Sequence, residues 1–236
     1  LSMIERVVGA LVAVPEITRI VIAIDRSEVL VPLAGLQAPL CTTALETMPS
    51  AAGPSASVAA ALQKFGTPLL VTTADHALLQ PEWVQDFLAA CPAELDVAVA
   101  MARKATVVAA VPETQRTYLR FADGEFSGCN LFFLQRPAAA GVIACWQQLE
   151  TERKHPLRMM RRLGLGFALR YRLGWLQLNQ ALARLGKLAG GARLGVIDLA
   201  DGRAAIDVDK PADLELVRRL IADDARRADA QSSNAD

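Results

Sequence analysis

The sequence predicts an α/β fold: a three-layer sandwich in which helices cover both faces of a mostly parallel sheet, with an antiparallel element added late. Three observations point there. Short runs such as RIVIAID and LLVTT are β-branched and apolar on both sides, as fully buried parallel strands are. Segments of helical period lie between them. Two of the apolar runs end in carboxylates just ahead of proline-started helices, TTADHALLQP and AIDVDKPADL.

The elements follow in order. Ile4, Val7, Val8 and Leu11 space the first helix, which begins at the very start of LSMIERVV. Arg19 to Asp25 is the first strand. Leu36 to Pro54, rich in small residues and proline, is a long loop around one short edge. Ser55 to Phe65 is a helix with Val58, Leu62 and Phe65 on one side, and Leu69 to Val71 is the second buried strand. Pro81 opens a helix that turns Val84, Phe87 and Leu88 inward, and Val97 to Met101 is the third strand. Thr106 to Val111 and Thr117 to Phe121 are strand-like, and Asp123-Gly124 marks a hairpin leading into Asn130 to Leu134. Pro137 to Glu150 is a helix. Met159 to Leu188 is helical in pieces, broken at Gly164, Gly166 and Gly174. Gly195 to Leu199 and Ala204 to Val208 are strands around Asp201-Gly202, and Pro211 to Ile221 closes with a helix. The expected organisation is one domain over 1–222, with a disordered tail over 223–236.

Composition excludes several classes. Apolar residues make up 53% of the 236, enough for a sizeable core, and Lys and Arg balance Asp and Glu at 25 each. The chain as a whole therefore has no field to gather nucleic acid. Four widely spaced cysteines argue against a zinc site or a disulfide framework and fit a reducing cytoplasm, and two histidines are too few for a multi-histidine centre. No apolar run is long enough to span a bilayer.

In an open parallel sheet, ligands gather beyond the carboxyl ends of the strands. Asp75 lies at such an end, where it either caps a turn or holds a cation. Asp207 and Asp209 share one face if Ala204 to Val208 is a strand. Asp209 also suits a helix N-cap before Pro211, whereas aspartate is disfavoured at the strand position of Asp207. Two acidic strand ends can converge on one hard cation, and Mg²⁺ takes one or two carboxylates plus phosphate oxygens.

MIERVVGAL, GPSAS, TTADHALL and IDVDKPADLE, in that order along the chain, resemble the MobA-like nucleotidyltransferases of the molybdenum-cofactor type. Their fold is the Rossmann-like, GT-A-like one of nucleotide-diphospho-sugar transferases. The resemblance covers nearly the whole chain. It implies a Mg²⁺-dependent transfer of NMP from an NTP to a phosphorylated or lipid-linked acceptor, with release of pyrophosphate. It implies Asp75 and Asp207 as catalytic metal ligands with Asp209 beside them, and Gly53, Ser57 and Asp75 at the nucleotide. His76, Lys104 and Asn130 are the nominated acceptor contacts. A surface role for Lys104, and for His76 a role in covering the turn, remain open beside those. The family's glycine-rich loop belongs ahead of the first helix, so the resemblance implies that it lies upstream of Leu1. LAGGARLG, Leu188 to Gly195, is an alternative carrier of that loop in a circular permutant.

The segment from Thr151 to Gly190 stands apart as a basic helical insertion, with nine Lys and Arg against one acid. It reads as a solvated basic face, a basic mouth for a phosphorylated acceptor, or a helix on a membrane surface. The rival functions are a glycosyltransferase using a nucleotide-sugar on the same fold, and a non-catalytic nucleotide-binding relative. The base and the oligomeric state are not legible.

Overall fold

The computed structural model describes residues 1–36, 43–152 and 164–233. Helix α1 (Met3–Val12) starts with a capping box, in which the Glu5 carboxylate accepts from the Ser2 backbone N–H at 2.6 Å and the Ser2 hydroxyl accepts from the Glu5 N–H at 3.4 Å. It buries Val7, Val8 and Leu11. Strand β1 (Arg19–Ala23) pairs in parallel with β2 (Ala44–Met48), and these two form a small sheet of their own. Helix α2 (Pro54–Phe65) leads into β3 (Leu69–Thr72), α3 (Pro81–Ala90) and β4 (Val97–Arg103). Then come α4 (Lys104–Ala110), β5 (Leu119–Phe121), β6 (Gly124–Leu134) and α5 (Ala139–Glu152). Beyond the second gap lie α6 (Leu165–Arg172), α7 (Leu178–Leu188), β7 (Leu194–Asp198), a 3₁₀ turn (Gly202–Ala205) and α8 (Pro211–Ser233).

The larger sheet runs β3-β6-β4-β7, with β5 on β6. Strand β6 is antiparallel to β3, β4 and β5, while β4 and β7 are parallel, so β6 alone runs against the rest. The expected late antiparallel element is thus a strand inserted at the centre of the sheet. Helices cover both faces. Val8, Leu11, Phe87, Val107 and Val217, from α1, α3, α4 and α8, share one core with Ile20 of β1 and Ala98 of β4. Val58, Leu62, Ile143 and Trp146, from α2 and α5, pack with Leu134 and Val97 on the other face.

Four sequence expectations need correction. Thr106 to Val111 is helix rather than strand: Val107 and Val111, four residues apart, are the buried pair, and Pro112 ends the turn. Ala204 to Val208 is not a strand. Ala204, Ala205, Ile206 and Asp207 are buried in succession without alternation, after a 3₁₀ turn pressed against α4. A Cβ on Gly202 would lie 2.3 Å from the Thr106 carbonyl oxygen and 2.5 Å from Val107 Cα, so only glycine allows this approach. Gly166 lies inside α6 and breaks nothing. The tail expected to be disordered from Asp223 continues α8 to Ser233. Of the expected Met159 to Leu188 region, residues 159–163 lie outside the described residues.

Candidate active site at the carboxyl ends of β3 and β4

Strand β3 ends at Thr72, and the chain turns tightly through Thr73 to Leu79. The Thr73 hydroxyl donates to the Asp75 carboxylate, His76 N–H donates to the Thr73 carbonyl at 3.3 Å, and Leu79 N–H to the His76 carbonyl at 3.0 Å. Arg6 of α1 holds the turn from outside, its Nε donating to the Ala77 carbonyl at 2.9 Å. The Asp75 carboxylate is partly exposed.

The chain returns to this turn 133 residues later: Val208 N–H donates to the Asp75 carbonyl at 3.1 Å. Asp75 is thereby tied to a residue flanked by Asp207 and Asp209. The two Asp side chains on either side of Val208 behave differently. Asp207 is 7% exposed and Asp209 points to solvent.

Asp207 is held by two partners the sequence does not connect. Arg116, from the loop between α4 and β5, donates through both terminal nitrogens to the two carboxylate oxygens, Nη2 to Oδ2 at 2.9 Å. Asn130 Nδ2 donates to Oδ2 at 2.7 Å. Asn130 is aimed by a bulge in β6. Val99 pairs with Phe132, but Met101, two residues on, pairs with Gly128, four residues back, and Asn130 takes a left-handed φ of 49°. Bulges often re-aim a side chain in this way, and asparagine tolerates that conformation. Burial pushes the Asp207 carboxyl up, but the Arg116 hydrogen bonds and charge, with Asn130, more than offset it and leave it below its ordinary value. Burial lowers Arg116, and the bond to Asp207 more than offsets this, so it ends raised. Asp209 moves the other way. The charge of Asp207 and then burial raise it, with Asp75 and Asp213 adding, against a lowering influence of Arg116.

Arg116, Asn130, Asp209 and Asp213 border a polar cavity of about 440 Å³ that Gln115, Thr117, Ser127 and Lys210 also line, while Asp75 and Asp207 do not line it. The metal expectation can be tested on this donor set. Asp207, Asp75 and Asp209 do not make a shared cage, because both oxygens of Asp207 are occupied by Arg116 and Asn130. Among the described residues no group of three or more His, Cys, Asp or Glu side chains is placed to hold a metal. What fits is a cation that arrives on phosphate oxygens and meets a single protein carboxylate, Asp75 or Asp209.

The model of the MobA-like NTP transferase domain matches residues 1–187. The chain belongs to that family. A hypothetical transferase from Thermus thermophilus shares the fold with a TM-score of 0.74 and 27% identity, over 90% of this chain and 85% of that one. No functionally curated protein matches the chain. No described helix is long and apolar enough to cross a membrane.

Within this MobA-like domain the other expected residues fall as follows. His76 is fully buried against Trp83, with ring centroids 6.2 Å apart, and neither ring nitrogen has a well-formed hydrogen bond. It covers the turn, and its full burial leaves no ring atom open to an acceptor. Burial drops its pKa to about 4, despite the raising influence of Asp207, the Ala204 backbone and Asp75. Lys104 is not in the cavity either: its Nζ donates to Glu125 at 2.8 Å and sits over the Tyr118 ring.

Gly53 precedes α2 in an extended conformation, and the Ser57 hydroxyl donates back to the Gly53 carbonyl at 3.1 Å and accepts from Ala51 N–H at 2.9 Å. Among the described residues these bonds stay within the loop and none reaches Asp75 or Asp207. The Ser55 hydroxyl, in the first turn of α2, donates to Glu150 of α5. Asp209 does not cap α8. The Asp213 carboxylate does so, accepting from the N–H groups of Asp209 and Lys210 at 3.2 and 3.1 Å. LAGGARLG is the turn between α7 and β7, with Gly190 and Gly191 at positive φ, and it opens no helix N-terminus to a phosphate.

Sequence reasoning missed Arg116. In PETQRT it reads as a solvated loop cation, and only the fold places it on Asp207. One signal was available: a buried aspartate outside a strand needs a cationic partner, which had to come from elsewhere in the chain.

Proposed function

We propose that this chain is a nucleotidyltransferase that moves NMP from an NTP to a phosphorylated acceptor. The observation that carries the reading is Arg116, fixed bidentate on Asp207 at the wall of a polar cavity beyond the strand ends, with Lys210 beside it. A guanidinium held in this way is pre-oriented for phosphate oxygens, and Asn130 keeps its anchor in place. The acceptor's phosphate oxygen attacks the α-phosphorus as the bond to the β-phosphate oxygen breaks, and the electron pair leaves on pyrophosphate. An acceptor phosphate already ionised at neutral pH needs no general base, which fits a site whose one nearby histidine among the described residues, His76, is buried and neutral. Positioning and charge neutralisation by Arg116 and Lys210 are the protein's contribution.

Asp75, Asp207, Asp209 and Asp213 outnumber the two cations, which favours a nucleotide that brings its own divalent ion. We propose Mg²⁺ for it, with Asp75 or Asp209 as the protein's ligand. When bound, it would neutralise phosphate charge.

The test is a panel of NTPs and phosphorylated acceptors, with and without Mg²⁺, read as pyrophosphate release. Pyrophosphate that appears only with both substrates supports the proposal. Release of nucleoside diphosphate from a nucleotide-sugar, with no pyrophosphate from any NTP, overturns it in favour of glycosyl transfer.

A further inference from the structure

We infer that the face formed by α6 and the turn after it docks on an anionic lipid surface. The inference does not depend on the reaction proposed above. Helix α6 is anchored by its inner side. Tyr171 meets Phe121 of β5 edge-on at 5.5 Å, the Leu176 carbonyl accepts from Ala122 N–H at 2.8 Å, and Asp123 accepts from Leu178 N–H at 3.0 Å. Its outer side is apolar and uncovered: Leu165 is 69% exposed, Leu169 57%, Leu173 46% and Trp175 66%. Leu165, Leu169 and Leu173 are spaced by four, so they line one stripe and Trp175 extends it. Isolated exposed apolar residues are ordinary, but a stripe of three leucines ending in tryptophan is not.

Charge selects the occupant. Beside the stripe, α6 itself carries Arg170 and Arg172, both exposed, and no acidic residue. Leucine and tryptophan among arginines is the composition that settles at a bilayer interface, where the indole sits at headgroup depth and the arginines meet anionic lipid. Position agrees. Arg103 at the end of β4 pairs with Phe126, so the β5–β6 hairpin tip that carries α6 projects beyond the carboxyl edge of the sheet, on the rim where Asp75 and Asp207 lie. Docking there would bring the cavity close to the lipid surface.

The test is co-sedimentation of the full chain with vesicles of phosphatidylcholine alone or with about one third phosphatidylglycerol. The expected result is binding to the anionic vesicles only, weakened at high salt, with a blue shift of tryptophan emission. Leu169→Glu with Trp175→Ala should cut partitioning by about tenfold, and Arg170→Gln with Arg172→Gln by a similar factor. All four residues are exposed, and unchanged thermal melts would show that the fold survives. Absence of wild-type binding to anionic vesicles, or equal binding to neutral ones, overturns the proposal. So does a dimer in light scattering that the same substitutions dissolve while vesicle binding stays absent, since the stripe is then a contact between copies.

Discussion

Replacing Asp207 by leucine leaves the Arg116 guanidinium with 14% of its side chain exposed and no partner, and removes the acceptor for Asn130. Breaking one side of a buried pair costs about 3 kcal/mol, because the surviving charge stays desolvated. For a chain of 236 residues that is a fall in Tm of roughly 6–12 °C. Arg116→Met should cost about the same, since it strands a carboxylate whose side chain is 10% exposed. The double variant removes both charges together and should lose no more than about 1 kcal/mol, because apolar replacement of a whole buried pair is often neutral. The cycle therefore predicts a coupling of about 5 kcal/mol, measured by urea unfolding of all four proteins at neutral pH. The low pKa of Asp207 fixes the pH of the same experiment. A carboxyl depressed in the folded state stabilises above its ordinary value of 3.8 and loses that contribution as pH falls through its folded value, so the coupling should shrink only in strong acid. Additive single effects would show that the two side chains do not act as a pair and would refute the reasoning.

Asp75→Ala should leave the melting curve within a degree or two of wild type, because the carboxylate's one hydrogen bond in the structure is local, and should abolish pyrophosphate release; retention of wild-type rates removes Asp75 from the mechanism. His76, neutral in the fold with a pKa near 4 against an ordinary 6.5, stabilises fully above pH 6.5, and that contribution drains away as pH falls toward 4. About 3 kcal/mol should be lost over that window, and His76→Leu should flatten the unfolding free energy between pH 6.5 and 4.5; an unchanged slope would show that the ring is not the group responsible. Gly202→Ala drives a methyl into the α4 backbone and should cost roughly 3 kcal/mol, read as a lower Tm; a neutral substitution would mean that the close approach does not exist.

The fold was legible wherever a short apolar run stands between breakers, as in Ile20 to Ile22 and Leu69 to Val71, or wherever helical spacing is regular, as in Val7, Val8 and Leu11; yet Leu69 to Val71 is a half-buried strand at the end of the sheet, antiparallel to β6, and not the fully buried parallel strand expected. It failed where a neighbouring element decides the backbone. Thr106 to Val111 is rich in β-branched residues, yet local preference yields once Val107 and Val111 are both drawn into the core. Asp201-Gly202 reads as a hairpin turn, while its glycine is there to let two backbones touch.

The site divides in the same way. Asp75 was visible as a carboxylate at a strand end, Asp207 as an aspartate in an apolar run that disfavours it, and Asn130 only through the family resemblance. Their meeting point was legible from topology, and the Val208 to Asp75 hydrogen bond realises it. What each side chain does there depends on a third party. Arg116 sits in a loop without period or motif, and nothing local distinguishes it from the solvated arginines elsewhere in the chain. Yet it decides that Asp207 is an anchor for a cation, while the partly exposed Asp75 accepts a hydrogen bond from its neighbour Thr73. A sequence can thus nominate a set of acids at a sheet edge, but which of them is free to bind is set by the partner that desolvation obliges the buried one to take.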